Sequence, residues 1–240
     1  MTRPIFLLIA LLLSSCTTTS VPSVPAMAKP EGRILNESHL GHEQTLAQRG
    51  TSCKPVSERT GEVGCWIMAD APLGELSRGP VFWHLDSYPS RATAEAVRGP
   101  RGTVVEALGK VWLFTIGEAG WRPSVGVRVA KIGPLLVKPG EQYSARYMES
   151  ISAPGLTSPV HRHPGPEAWY TTAGEICLET PHGKSVGRAG EGTIAPAGAP
   201  MQLTITGTEQ RRSLALVLYE SSQPWSIPVT NWTPKGLCNN

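Results

Sequence analysis

The chain has 240 residues, 40% hydrophobic and 17% charged, which supplies a core and excludes an intrinsically disordered chain. Its 25 Gly and 22 Pro make about a fifth of the residues, too many turn formers for a helical bundle. Lys and Arg (22) barely exceed Asp and Glu (19), and a net charge of +3 is too small and scattered for a protein that tracks nucleic-acid phosphates.

Met1-Thr2-Arg3 is a short basic start, followed by an unbroken apolar run from Ile5 to Leu13. Such a run rises about 14 Å as a helix, against a hydrocarbon core of roughly 30 Å. It is too short to span and reads as the apolar region of a secretory signal over residues 1–15. Leu13-Ser14-Ser15-Cys16 resembles the lipobox of bacterial lipoproteins, where the signal is cut before the Cys and the Cys is lipidated. The resemblance implies anchoring at Cys16 to the outer membrane, facing the periplasm, because Thr17 is not the Asp that retains such proteins at the inner membrane. Apart from that lipid, no membrane contact and no nucleic-acid partner is expected.

Residues 16–55 are Thr/Ser/Pro-rich and then polar, and read as a flexible tether. His39 and His42 lie there without a third partner and are expected to be solvated. Besides Cys16 there are Cys53, Cys65, Cys177 and Cys238, which in an exported chain suggest two disulfides with three connectivities open. Cys53–Cys65 with Cys177–Cys238 is the expected pairing, since the first pair closes a short local loop. None has metal-finger spacing.

From about Gly64 short β-forming runs follow one another between Gly and Pro: Cys65–Ala69, Val81–Leu85, Thr103–Ala107, Lys110–Ile116, Val125–Ile132 and Leu135–Lys138. One helix interrupts them over Ser90–Val97, with Ser90 as N-cap and Gly99-Pro100 as the stop. Tyr143–Ile151, Glu167–Thr172, Glu175–Glu179, Gly192–Ala195, Met201–Thr206 and Ser213–Tyr219 continue in the same style. The pattern predicts an all-β sandwich or barrel.

The chemistry is concentrated between Gly155 and Gly174. His161 and His163 are two apart, so on a strand both rings point to one face. Pro164-Gly165-Pro166 forces a reversal, and Glu167 returns on the next segment beside the imidazoles. Two neutral imidazoles and a carboxylate on one inward face form a divalent-metal site suited to Fe(II), with Mn, Ni, Zn and Cu also admissible. Trp169 and Thr171 alternate with Glu167 and could line the cavity, with Trp169 equally readable as plain core, while Arg162 faces outward. His182, in Pro181-His182-Gly183-Lys184, sits in a hairpin turn.

Gly155, His161, His163, Glu167 and Gly174 resemble at every spacing the first motif of the cupin superfamily. Gly190, Pro196 and Gly198 fit the second motif, but Met201 stands where that motif has His. The resemblance covers about residues 142–220 and implies a double-stranded β-helix, the cupin jelly-roll barrel, with a metal inside. His161, His163 and Glu167 carry over as ligands. Met201, sharing a face with Leu203 and Ile205, is either a thioether ligand, a packing residue beside a three-ligand site, or the mark of a pocket that has lost its metal.

Residues 56–141 have the length and strand content of a second, degenerate barrel, giving a bicupin-like chain with the metal-bearing domain at 142–240. One barrel with an N-terminal elaboration is the alternative. The single histidine of that first half, His84, reads as a hydrogen-bonded strand residue. The expected function is action on, or binding of, a small oxygenated molecule, dioxygenase-like with Glu167 also available as a base. A non-catalytic binding protein is the alternative, and pairing of two copies through barrel edges is a further expectation.

Overall fold

A computed structural model describes residues 53–76 and 79–239. The signal segment, Cys16, residues 17–52 with His39 and His42, and residues 77, 78 and 240 lie outside the described residues. In chain order the elements are β1 (Lys54–Pro55), β2 (Gly64–Glu75), β3 (Val81–Tyr88), α1 (Arg91–Ala96), β4 (Gly102–Ala107), β5 (Lys110–Gly117), β6 (Val127–Leu135) and β7 (Gln142–Ser152). They continue with β8 (His161–Arg162), β9 (Glu167–Ala173), β10 (Glu175–Thr180), β11 (Gly183–Arg188), β12 (Gly192–Ala195), β13 (Gln202–Thr206), β14 (Arg211–Glu220) and β15 (Ile227–Pro228). The helix is where the sequence puts it: the Ser90 hydroxyl accepts from the Thr93 amide at 3.2 Å. Among the described residues no helix is long and apolar enough to cross a membrane.

The central layer is a six-stranded sheet in the order β1-β2-β7-β14-β9-β12. Period-two alternation gives it two working faces. Leu214, Leu216 and Leu218 of β14, Tyr143, Ala145 and Tyr147 of β7, and Ala168 of β9 point to one face. There they meet Trp83, Leu85, Phe114 and Ile132 of the four-stranded sheet β4-β5-β3-β6. The Phe114 and Tyr147 rings lie 5.1 Å apart and the Trp83 and Tyr147 rings 6.3 Å apart, so aromatic contacts join the two layers.

The opposite face carries Met148, Trp169, Ala215 and Val217, which pack toward Leu178 and Leu203 of the third layer, β11-β10-β13. β8 joins that layer through the bridge of His161 to Met201, the segment before it through that of Thr157 to Thr204, and β8 pairs with β15 on its other side. The eight strands β7 to β14 are therefore divided between two facing sheets, β7-β14-β9-β12 and β8-β13-β10-β11, with β10 and β11 a hairpin within the second. That order is a jelly-roll barrel, the double-stranded β-helix expected from the sequence.

Residues 56–141 do not close into a barrel of their own. β2 pairs along β7, from Gly64 opposite Ile151 to Glu75 opposite Gln142, and so becomes part of the barrel's own sheet. The strands from β3 to β6 make a single sheet that covers the back of it, and the described residues cluster as one unit. The first half is an elaboration of one barrel. Two boundaries also move. Residues 53–55, expected to belong to the tether, are held in the fold: Lys54–Pro55 pair in parallel with Trp66–Ile67 and Cys53 is cross-linked. Leu135–Lys138 is not a strand; β6 ends at Leu135.

Both expected disulfides are present, Cys53–Cys65 with Cα atoms 4.4 Å apart and Cys177–Cys238 with Cα atoms 5.7 Å apart. The second fastens the C-terminal tail to β10. Glu179 beside it accepts amide hydrogen bonds from Lys235 and Leu237, and Lys184 Nζ donates to the Leu237 carbonyl at 2.7 Å. The tail is thereby held across the barrel, which matters for the site below.

Candidate metal centre

The local sequence builds the centre on a short strand, a rigid turn and a long strand. His161 is paired with Met201 through both backbone bonds, His161 N to Met201 O at 3.2 Å and Met201 N to His161 O at 2.8 Å. The His163 carbonyl accepts from Gly198 N at 2.8 Å, and the Pro166 carbonyl accepts from Leu218 N at 3.0 Å. The turn between them lies so close to β14 that a Cβ at Gly165 would sit 1.8 Å from the Leu218 carbonyl oxygen. Glycine is therefore required there by close approach of two backbones.

The side chains of His161, His163 and Glu167 converge, one ligand atom from each lying within 4.8 Å of the others. His163 and Glu167 are 1% and 5% exposed, and His161 is half-buried at the rim. Each imidazole is oriented by a backbone carbonyl. His161 Nδ1 donates to Pro159 O at 2.8 Å, and His163 Nδ1 donates to Trp225 O. A carbonyl only accepts, so both rings carry hydrogen on Nδ1 and present Nε2 to the common point. The Trp225 ring also stacks on His163, 5.7 Å between centroids and 20° between planes, with the Arg146 guanidinium 4.7 Å from the indole centroid.

The decisive detail is the contact between Nε2 of His163 and Oε2 of Glu167. They approach to 2.8 Å, yet not in hydrogen-bond geometry, and both are buried without a hydrogen-bond partner. Two orphaned buried polar atoms side by side are costly unless a third party satisfies them. Donors that share one ion at about 2.1 Å, cis to each other, lie about 3 Å apart. The donor set and its spacing fit a divalent cation.

Burial lowers the pKa of His161, with Glu167 opposing and His163 assisting, so the ring is neutral and ready to ligate at pH 7. At His163 burial again acts to lower the pKa, but the Glu167 carboxylate and the Trp225 carbonyl outweigh it and hold the proton above the usual imidazole range. Cation and proton therefore compete for His163 Nε2.

The centre opens into a cavity of about 360 Å³, a size suited to a small molecule. Its walls are mainly apolar: Met148, Trp169, Ile176, Leu203, Ile205 and Trp225, with the Cys53–Cys65 disulfide at one side. Trp169 lines the cavity and also packs in the apolar cluster beside it. Met201 does not line it: it is 1% exposed and packed in the apolar cluster with Trp169 and Leu178. Its thioether takes the place of the fourth ligand of the motif with core packing. Thr171 is on the expected face but fully buried without lining the cavity.

The remaining histidines are accounted for. His84 is buried, donates Nε2–H to Glu118 O at 2.8 Å and accepts at Nδ1 from Arg128 at 2.8 Å, in the four-stranded sheet. His182 is exposed in the β10–β11 hairpin, and Arg162 is half-buried and does not line the cavity. Two residues of the site carry no sequence signal of their own. Trp225 arrives on the C-terminal tail. Arg211, 3% exposed, lines the cavity from the start of β14. Burial brings its pKa down to about 9, with the Glu167 charge opposing, and it is cationic at neutral pH.

A jelly roll with two histidines and a glutamate converging inside one end is now established from the chain itself. It is a double-stranded β-helix carrying the ligand set that the sequence resemblance implies. No family model matches the sequence, and no curated protein matches it. Solved structures similar to this chain include a DMSP lyase structure at 19% identity and TM-score 0.32, over 36% of this chain and 44% of that one. An oxalate oxidase matches at 23% identity and TM-score 0.30, over 36% and 46%. A Cupin 2 conserved barrel domain protein from Salinispora arenicola CNS-205 matches at 22% identity and TM-score 0.28, over 33% and 65%. The match spans less than half of the DMSP lyase and oxalate oxidase chains.

Proposed function

We propose that this chain is a metal-dependent cupin that takes a small oxygenated molecule into its barrel and acts on it at His161, His163 and Glu167. The observation that carries the reading is the pair of buried, unpartnered donor atoms, His163 Nε2 and Glu167 Oε2, 2.8 Å apart. A divalent ion held there, whether Fe, Mn, Ni, Zn or Cu, would supply Lewis acidity and, if redox-active, electrons for dioxygenase-like chemistry. The protein's part is positioning and exclusion. Pro159 and Trp225 fix the two rings, the apolar walls keep bulk water from the ligand, and the Glu167 carboxylate is available at the centre as a base.

A binding protein without turnover is the second reading, favoured by the packing of Met201 at the fourth-ligand position. Export and anchoring belong to the same proposal: the apolar run Ile5–Leu13, Cys16 after it and two disulfides all support an envelope lipoprotein. Metal content of the full chain and of His163→Ala tests the centre: about one ion per chain, lost in the variant, is the expected result. No metal after incubation with all five ions would sink it. With metal bound, oxygen uptake across phenols and diketones separates the readings, flat traces favouring binding alone. Palmitate incorporation that survives Cys16→Ser would contradict the anchor.

A further inference from the structure

Away from the metal ligands, the inner face of the barrel holds a second group of polar side chains. Register places them on three adjacent strands: Arg211 is opposite Ser152, and Ser213 lies between Ser150 and Thr171. Arg211, Ser150 and Ser152 line the cavity. Nε and Nη2 of Arg211 and the hydroxyls of Ser213 and Thr171 are fully buried without hydrogen-bond partners. Among the described residues Arg211 makes no ion pair: no carboxylate oxygen lies within 4.0 Å of its guanidinium. Its neighbourhood is also fixed: the Arg211 Cα packs where a Cβ of Gly174 would lie, at 2.8 Å.

A buried guanidinium with free N–H groups is costly unless something accepts them. Its planar fork matches a carboxylate, and the surrounding hydroxyls can donate to the same oxygens. One unpaired cation balances one negative charge, which favours a monoanion over a phosphate dianion. The rest of the cavity is apolar, so the anion must carry a hydrocarbon body against Trp169, Ile176, Leu203 and Ile205. Glu167 and Thr171 are four residues apart on β9, about 13 Å of strand, and the Arg211 side chain shortens that span from its own end.

We propose that Arg211, with Ser150 and Ser152, forms a carboxylate subsite, so that the small molecule taken up at the metal centre, on the reading above, is a monocarboxylate with an apolar body. Its acid group lies on Arg211 and its other end faces His161, His163 and Glu167.

Calorimetric titration of the full chain tests this with benzoate, phenylacetate and 2-oxobutanoate, each against its neutral amide, before and after chelator treatment. At least one acid should bind tenfold or more tightly than its amide, with and without metal. Arg211→Met should weaken that acid tenfold or more and leave the amide unchanged, while Arg211→Lys recovers part of the loss. Amides that bind as well as acids, no acid binding at all, or an Arg211→Met variant that binds the acid normally would each overturn the subsite. Inorganic phosphate binding more tightly than every acid would overturn the carboxylate assignment. Should Arg211→Met fail to fold, the Ser150→Ala/Ser152→Ala variant replaces it: a threefold or greater loss of acid affinity supports the subsite and unchanged affinity refutes it. Since the acid is titrated also without metal, failure of the metal centre leaves this result standing, and failure here leaves the metal stoichiometry standing.

Discussion

Replacing Gly165 by Ala should damage both the fold and the metal centre, because this turn is where backbone packing sets ligand geometry. The added Cβ would lie 1.8 Å from the Leu218 carbonyl oxygen, with the carbonyl carbon at 2.9 Å. Carbon–oxygen contacts settle at about 3.3–3.6 Å, so the turn and β14 must separate by about 1.5 Å. No flexible side chain can yield, since both partners are backbone. The shift stretches the Leu218 N to Pro166 O bond, now 3.0 Å, and the Gly198 N to His163 O bond, now 2.8 Å. Overpacking costs about 1–3 kcal/mol and each weakened hydrogen bond about 1 kcal/mol. A loss of about 3 kcal/mol lowers Tm by about 6–12 °C for a chain of this size. Because His163 and Glu167 flank the turn, metal affinity should fall in parallel. Gly120→Ala is the matched control, having no atom within 4 Å of its added Cβ. Thermal unfolding by circular dichroism and a metal titration read both effects. A Gly165→Ala protein with the Tm and metal affinity of the parent would refute the claim that this close approach positions the ligands.

Lowering the pH should weaken metal binding, because Glu167 and the Trp225 carbonyl hold the His163 proton above its usual range and that proton must leave. Affinity should drop by up to about tenfold per pH unit below the His163 pKa, and a pH-independent affinity between pH 5 and 8 would contradict the assignment. Removing the Cys177–Cys238 disulfide by the double Ser variant opens a closure of 61 residues, worth about 4 kcal/mol in the chain-entropy picture. Tm should fall and metal affinity with it, since the freed tail carries Trp225; an unchanged Tm would refute the stitching role. Trp225→Ala keeps the carbonyl that orients His163 but removes the stacked ring and its Arg146 contact. A loss of metal affinity of up to about tenfold is expected on titration, and none would show that the ring only fills space.

The three ligands were legible in the sequence because each is fixed by local rules. His161 and His163 share a face by strand alternation, the Pro-Gly-Pro turn returns Glu167 beside them, and the glycine spacing resembled a known motif. The disulfide partners were legible for a similar reason, as short closure suggests one pair and leaves the other. The single-barrel architecture was not, because it depends on β2 pairing with β7 some seventy residues away, and nothing in either strand names its partner. β1, β8 and β15 are two residues each and have no periodicity to read. Arg211 is one of 22 basic residues, and its burial follows from register against β7 and β9 rather than from its neighbours in the chain. Met201 lies just before β13, bridged to His161, and whether an inward methionine reaches the cavity or the core depends on packing around it.

The central claim, that two imidazoles and a carboxylate converge on one cation, is tested most directly by electron paramagnetic resonance of the chain loaded with one equivalent of Cu(II). Hyperfine structure from two imidazole nitrogens is expected in the parent, reduced to one nitrogen in His163→Ala and in His161→Ala, with both nitrogens kept and a shifted spectrum in Glu167→Gln. A parent spectrum without nitrogen coupling, or one that neither histidine variant changes, would contradict the site.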